Sequence, residues 1–144
     1  MKHSFVVILT IILCGMTVFL YAQSGEPWIS TDLLEPAALS AMLKNPQAPM
    51  PVIFNIGPVA DIKGAINIGS TSNKANLKKL SKSLINVPPE KMVVIYCGCC
   101  PFRHCPNIRP AFRLLKERGF KHPKLLNLKQ NVKVDWTDYG YPME

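Results

Sequence analysis

The sequence predicts an α/β fold with a mostly parallel central sheet and helices on both of its faces. Short apolar runs of strand length alternate with amphipathic segments of helix length, which is the pattern of parallel strands joined by helical crossovers. One run, residues 93–96, is apolar or aromatic throughout and is typical of a strand buried on both faces. Glycines and prolines bound most of the segments.

The elements follow one another at short intervals. A helix is predicted over residues 33–44, because apolar residues recur at helical spacing and Pro36 is tolerated in a first turn. A proline-rich connector follows it. The later segments predict strands over 52–56, 65–68, 93–96 and 125–128, and helices over 73–84 and 107–118.

The N-terminus has the pattern of a secretory signal. Residues 1–22 combine a short basic start, an apolar run and a small residue, Ala22, for cleavage. A retained membrane anchor is the alternative, but the run is slightly short for a span. A lipoprotein site at Cys14 is disfavoured because Leu13 stands where a small residue is needed.

We therefore expect export, to the bacterial periplasm, with membrane contact only through the signal before its cleavage. One domain over residues 23–144 remains, which is large enough for a single core. The chain carries a formal net charge of +8, but its basic residues are dispersed. Because nucleic-acid binding needs clustered basic residues with stacking aromatics, we expect no nucleic-acid partner.

Four of the five cysteines lie within nine positions: Cys97, Cys99, Cys100 and Cys105. A disulfide-stabilised domain would distribute its cysteines to join distant segments. The clustering instead indicates a functional site, at the end of the predicted strand 93–96. A helix N-terminus and nearby cations at such a position favour the reactive thiolate.

Several separate segments resemble the rhodanese-like (sulfurtransferase) domain. Residues 62–68 (IKGAINI) are similar to the family's HIPGAINI segment, and residues 93–97 (VVIYC) to its VVYC strand and active cysteine. Residues 115–120 resemble its LxxxGF helix end, and Trp136 with residues 140–142 (GYP) its terminal motif. The resemblance covers residues 28–144 and implies a rhodanese-like α/β fold.

The chain departs from the family pattern at the predicted site. Asn55 stands where the family has an acidic residue, and Gly57 where it has an arginine. The family loop Cys-x-x-Gly-x-Arg leads almost directly into a helix, whereas here about five extra residues follow Cys97. Pro110 requires the next helix to begin near residue 106 or 107.

The resemblance implies that Cys97 carries sulfur from a small anionic donor, as a persulfide, to cyanide or to a thiol acceptor or reductant. No cofactor is expected. Arg103 is the candidate catalytic cation, with His104 and Arg109 next. The substrate-binding loop would comprise Gly98, Cys99, Cys100, Pro101, Phe102 and His104.

The remaining cysteines leave alternatives open. Cys99, Cys100 or Cys105 is a candidate resolving or disulfide-forming thiol for Cys97. A zinc or copper(I) site is another reading, but the spacing matches no common zinc module, so we assign no metal ligands. The pairing of the cysteines stays undetermined.

Two other functions also remain. Cys97 and Arg103 form Cys-x5-Arg, the spacing of cysteine phosphatases and some arsenate reductases. Phosphoester hydrolysis would require a general acid, for which Asp61 is the nearby candidate. The third possibility is a non-catalytic thiol-relay or binding module, consistent with the unusual residues at positions 55 and 57.

Overall fold

The computed structural model describes residues 25–144. They form five strands and four α-helices, in chain order: β1 Leu33–Leu34, α1 Pro36–Lys44, β2 Val52–Asn55, β3 Ala65–Asn67, α2 Lys74–Ser83, β4 Met92–Tyr96, α3 Ile108–Glu117, β5 His122–Leu126 and α4 Val132–Asp135. Short 3-10 helices cover Ser30–Asp32, Phe102–His104 and Thr137–Tyr139.

All five strands form one parallel sheet in the order β1-β5-β4-β2-β3. The central strand, β4, pairs with β2 and β5, and its residues Val93 to Tyr96 are all fully buried. This confirms the α/β fold class. A strand that is apolar throughout belongs in the middle of a sheet covered on both faces.

Successive residues of the strands supply two apolar layers, one on each face of the sheet. Phe54, Val93 and Ile95 face the layer to which α2 and α3 contribute, and Ile53 and Val94 face the layer that packs against α1 and Trp136. Because side chains alternate along a strand, one sequence run serves both layers.

The structure corrects the predicted start of the first helix. Leu33 and Leu34 form a strand paired with Leu125 and Leu126, and α1 begins only at Pro36. The residue before a proline is driven out of helical geometry, and Glu35 is indeed extended (φ −69°, ψ 142°). The predicted last strand also begins earlier, at His122, and ends at Leu126.

The predicted signal over residues 1–22 lies outside the described residues. Among residues 25–144 no helix has the length and apolar character needed to cross a bilayer.

Candidate active site

Cys97 lies immediately after the central strand, at the carboxyl edge of the sheet, where the sequence places it. It is 1% exposed. The residues that follow, 98–107, form an extended loop that returns the chain to the start of α3; we call residues 97–107 the cysteine loop. Parallel sheets bind ligands at this edge, but here the loop covers the sulfur.

Gly57 makes room for Cys97. A Cβ atom at position 57 would lie 2.1 Å from the Cys97 carbonyl oxygen and 2.7 Å from its Sγ. The Gly57 amide donates to Asn55 Oδ1 (3.0 Å), which fixes the turn after β2. A glycine at position 57 is therefore required by the close approach of the two chain segments.

Gly98 allows the loop to turn away from β4. Its φ of +73° lies in the left-handed region that glycine tolerates best, and a Cβ there would lie 2.9 Å from Val132 Cβ. The Gly98 carbonyl accepts a hydrogen bond from the Val132 amide (2.9 Å), which ties the loop to the first residue of α4.

Phe102 anchors the middle of the cysteine loop. Its side chain is 4% exposed, and its ring lies 6.0 Å from that of Trp28. The Phe102 amide donates to the Leu128 carbonyl (3.2 Å), and its own carbonyl accepts from the Cys105 amide. These contacts hold Cys105 beneath the surface.

Three sulfur atoms meet inside the loop. The Sγ atoms of Cys97, Cys99 and Cys105, which we call the thiol cluster, lie within 4.8 Å of one another. Cys97 and Cys99 are 3.3 Å apart, and Cys100 adjoins Cys99 at 3.4 Å. All four are free thiols. Cys97 and Cys105 are buried, whereas Cys99 is exposed and Cys100 is half-buried.

Asn107 is a site residue that the sequence analysis did not identify. Its Nδ2 donates to Cys97 Sγ at 3.2 Å, while its Oδ1 accepts from the Ser72 amide at 2.9 Å. Its backbone carbonyl accepts from the Thr71 hydroxyl. Since the oxygen must face the Ser72 N–H, the amide nitrogen faces the sulfur and donates to it.

The pKa of the Cys97 thiol falls from its ordinary 9.0 to about 5. The largest cause is the Cys105 thiol, which acts as a donor toward Cys97; burial opposes the shift, and Asn107 and Cys99 add further donors. Hydrogen bonds to the charged form favour the thiolate. The pKa of Cys105 rises correspondingly, mainly because its proton is shared with Cys97.

The pKa of Cys99 also rises, to about 12, through burial of its sulfur and its bonds to Cys97 and Cys100. These opposite shifts favour a negative charge on Cys97, with Cys99 and Cys105 as hydrogen-bond donors to it.

The structure places the Arg103 guanidinium beside the Phe102 ring and gives it no hydrogen bond to the Cys97 sulfur among the described residues. The guanidinium carbon of Arg103 lies 5.5 Å from the centre of the Phe102 ring, on the exposed side of the loop. Arg109 donates to the Arg103 carbonyl (2.8 Å) and pairs with Glu26 (2.5 Å). Neither arginine forms a hydrogen bond to the thiol cluster within the part of the chain that is described.

A basic concavity does lie on the outer side of the loop. A cavity of about 310 Å³ is lined by Pro101, Phe102, Arg103, His104 and Lys129. The predicted cations Arg103 and His104 therefore share this surface with Lys129, and the cysteines do not line it. An anion would be attracted here, outside the thiol cluster.

The Asp61 carboxylate, the candidate general acid, accepts hydrogen bonds from two asparagine side chains. Its Oδ1 accepts from the Asn55 side chain (2.7 Å) and from the Asn67 side chain (3.0 Å). These bonds tie together the carboxyl ends of β2 and β3. Asp61 therefore accepts hydrogen bonds from both asparagines at this end of the sheet.

Comparisons of the chain with protein-family models, with curated proteins and with solved structures found no match. The described residues form an α/β domain with a parallel sheet and a cysteine cluster at its carboxyl edge. That arrangement is compatible with a rhodanese-like fold.

Proposed function

We propose that the chain is an exported, rhodanese-like sulfurtransferase that carries sulfane sulfur as a persulfide on Cys97. The observation that carries the proposal is the hydrogen bond from Asn107 Nδ2 to Cys97 Sγ. The amide nitrogen of Asn107 can only donate, so it stabilises a thiolate at Cys97. The thiolate is the nucleophilic form of cysteine. A thiol kept only for packing needs no such partner.

The chemistry requires two displacements. With thiosulfate as donor, the Cys97 thiolate attacks the outer sulfur, a new S–S bond forms, and sulfite leaves with the electron pair of the broken bond. Cyanide or a thiolate then attacks the outer sulfur of the persulfide, and Cys97 leaves as the thiolate. The lowered pKa of Cys97 makes it a good leaving group in this second step.

Because the cysteine loop covers the Cys97 sulfur, a sulfur donor must be able to reach it. The buried Asn107 lies 3.2 Å from that sulfur, and the exposed Cys99 lies 3.3 Å from it. We infer that a small anion reaches the nucleophile when the exposed Cys99 side chain rotates away. The cavity lined by Arg103, His104 and Lys129 would raise the local concentration of such an anion beside the loop.

The proposal is tested by thiocyanate formation from thiosulfate and cyanide. We expect turnover by the reduced chain, reduced to background in Cys97→Ser. Cys100→Ser is the matched control substitution, because Cys100 is outside the thiol cluster. This variant should keep most of the turnover. Equal rates in Cys97→Ser and the unmodified chain would refute the assignment.

A second function is favoured by the thiol cluster itself, which is the binding of a soft metal ion. Thiolates select zinc and copper(I), with metal–sulfur distances of about 2.3 Å for zinc, and three sulfurs within 4.8 Å of one another can converge on one ion. Elemental analysis after addition and removal of excess zinc or copper(I) tests this function. Stoichiometric metal, lost in Cys105→Ser, would support it.

The phosphatase alternative has less support. Its Cys-x5-Arg loop requires the arginine to complete the anion site, but the Arg103 guanidinium lies against Phe102. Its general acid would be Asp61, whose Oδ1 accepts from two asparagines. Hydrolysis of an aryl phosphate, dependent on both Cys97 and Arg103, would support the phosphatase function.

The third possibility, a non-catalytic binding or thiol-relay module, predicts that no sulfur is added to Cys97.

A further inference from the structure

The cysteines of the thiol cluster differ in solvent exposure, and the proposed function does not account for this difference. Cys97, with the stabilised thiolate, is 1% exposed, and Cys105 is 0% exposed. Cys99 is exposed and its sulfur lies 3.3 Å from that of Cys97. A thiol carried on a large molecule can therefore meet Cys99 at the surface, but not the buried sulfur of Cys97.

From this geometry we propose that Cys99 is the exchange thiol, which takes the sulfane sulfur from Cys97 and presents it to bulky thiol acceptors at the surface. The inference rests on the proposed function, because it requires a persulfide on Cys97. It adds a second sulfur-carrying residue and defines the acceptor as a thiol on a molecule too large to enter the loop.

The transfer step balances without any external oxidant or reductant. The outer sulfur of the Cys97 persulfide, which thiosulfate leaves as an anion, accepts the Cys99 proton. The Cys99 thiolate attacks that outer sulfur, a new bond forms between those two atoms, and the bond between the outer sulfur and Cys97 Sγ breaks. Its electron pair returns to Cys97 as the thiolate, and the Cys99 proton ends on the new persulfide. One sulfur atom has moved, and no net oxidation has occurred.

The distances suit this step. A sulfur–sulfur bond is about 2.05 Å long, so a sulfur bonded to Cys97 and directed toward Cys99 can lie about as far from Cys99 Sγ as Cys97 Sγ does, which is 3.3 Å. Reacting atoms in productive complexes lie about 3–3.5 Å apart. Cys105 cannot perform the same role toward an outside molecule, because it is 0% exposed.

The position of Asn107 determines which sulfur is attacked. Attack on the outer sulfur expels Cys97, whose charge the Asn107 amide stabilises at 3.2 Å. Attack on the inner sulfur would instead expel hydrosulfide and leave a disulfide between Cys97 and Cys99. Since leaving groups of low pKa leave faster, the Asn107 contact favours transfer of the sulfur over its release.

The experiment compares two acceptors of different size. The reduced full chain is loaded with thiosulfate that carries a radiolabelled outer sulfur, and excess donor is removed. The label is then followed into cyanide or into a thiol attached to a long polyethylene glycol chain. In Cys99→Ser, we expect the ratio of the polymer-thiol rate to the cyanide rate to fall by about tenfold or more.

A second measurement uses the unsubstituted chain, so that the result does not depend on one variant folding. Alkylation and peptide mapping of the loaded chain should find the label on both Cys97 and Cys99. Label on Cys97 alone, or an unchanged rate ratio in Cys99→Ser, would overturn the relay while leaving the proposed function intact.

Two further outcomes distinguish failure of the relay from failure of the proposed function. A disulfide between Cys97 and Cys99, with the label released as hydrosulfide, would show that Cys99 reduces the persulfide and would overturn the relay. Failure of any label to enter the chain would instead remove the proposed function, and with it this inference.

Discussion

At the scale of single residues, the site stabilises a negative sulfur with neutral donors. Asn107 and the thiols of Cys105 and Cys99 face Cys97, whereas the predicted cation, Arg103, lies against Phe102. Cys97 could be predicted from the sequence, because a cysteine ends an apolar strand. Asn107 could not, because its orientation depends on Ser72, 35 positions earlier in the chain.

The Asn107 contact predicts a shift in the pH dependence of Cys97 alkylation. Alkylation requires the thiolate, so the rate in the unmodified chain should fall as pH falls through about 5, the pKa of Cys97. Asn107→Ala removes one donor to the charged form, and we expect the midpoint to rise by about one pH unit. Iodoacetamide labelling across the pH range measures it.

The control for that substitution is Asn45→Ala. Asn45 is exposed and its side-chain oxygen accepts a hydrogen bond from the nearby Gln47 amide, so its replacement should leave the Cys97 midpoint in place. An unshifted midpoint in Asn107→Ala would contradict the role given to the amide.

A second prediction concerns Gly57. Gly57→Ala would place a Cβ 2.1 Å from a backbone oxygen of Cys97, a clash that no side-chain rotation relieves. We expect a loss of about 3 kcal/mol in the free energy of unfolding and altered alkylation of Cys97. Denaturant unfolding measures the first effect. Gly25→Ala, where nothing lies within 4 Å, should be neutral.

At the scale of elements, the long strands and helices could be predicted because each has its own hydrophobic period or apolar run. β1 could not, because two residues carry no period and Leu33–Leu34 is defined by its pairing with β5. The interior of the cysteine loop could not either. Its shape depends on contacts of Phe102 with Leu128 and Trp28, far away in sequence.

The anchoring of the loop by Phe102 gives a third prediction. Phe102→Ala removes a ring that is 4% exposed, and we expect a cost of about 3 kcal/mol. The loop should also open locally, so that buried Cys105 becomes reactive toward alkylating reagents in the folded protein. The rate of Cys105 labelling under native conditions checks this outcome.

The matched control is Ile85→Ala, which truncates a side chain that is 65% exposed. It should change neither stability nor the labelling of Cys105. Slow labelling of Cys105 in Phe102→Ala, equal to that in the unmodified chain, would show that other contacts hold the loop.

At the scale of the whole molecule, the buried thiolate couples folding to pH. The pKa of Cys97 is lower in the folded chain than its ordinary 9.0, so folding favours the deprotonated form. The stabilisation is complete above pH 9 and is lost as pH falls toward 5. Under reducing conditions, the free energy of unfolding should decline over this range more steeply than in Cys97→Ser; parallel profiles would contradict it.

The central claim is that Cys97 carries sulfur, and mass analysis of the loaded protein tests it most directly. After reduction, incubation with thiosulfate and removal of the donor, the peptide that contains Cys97 should gain the mass of one sulfur atom, and cyanide should remove it. A Cys97 peptide that never gains this mass, in a protein shown to be folded and reduced, would contradict the account.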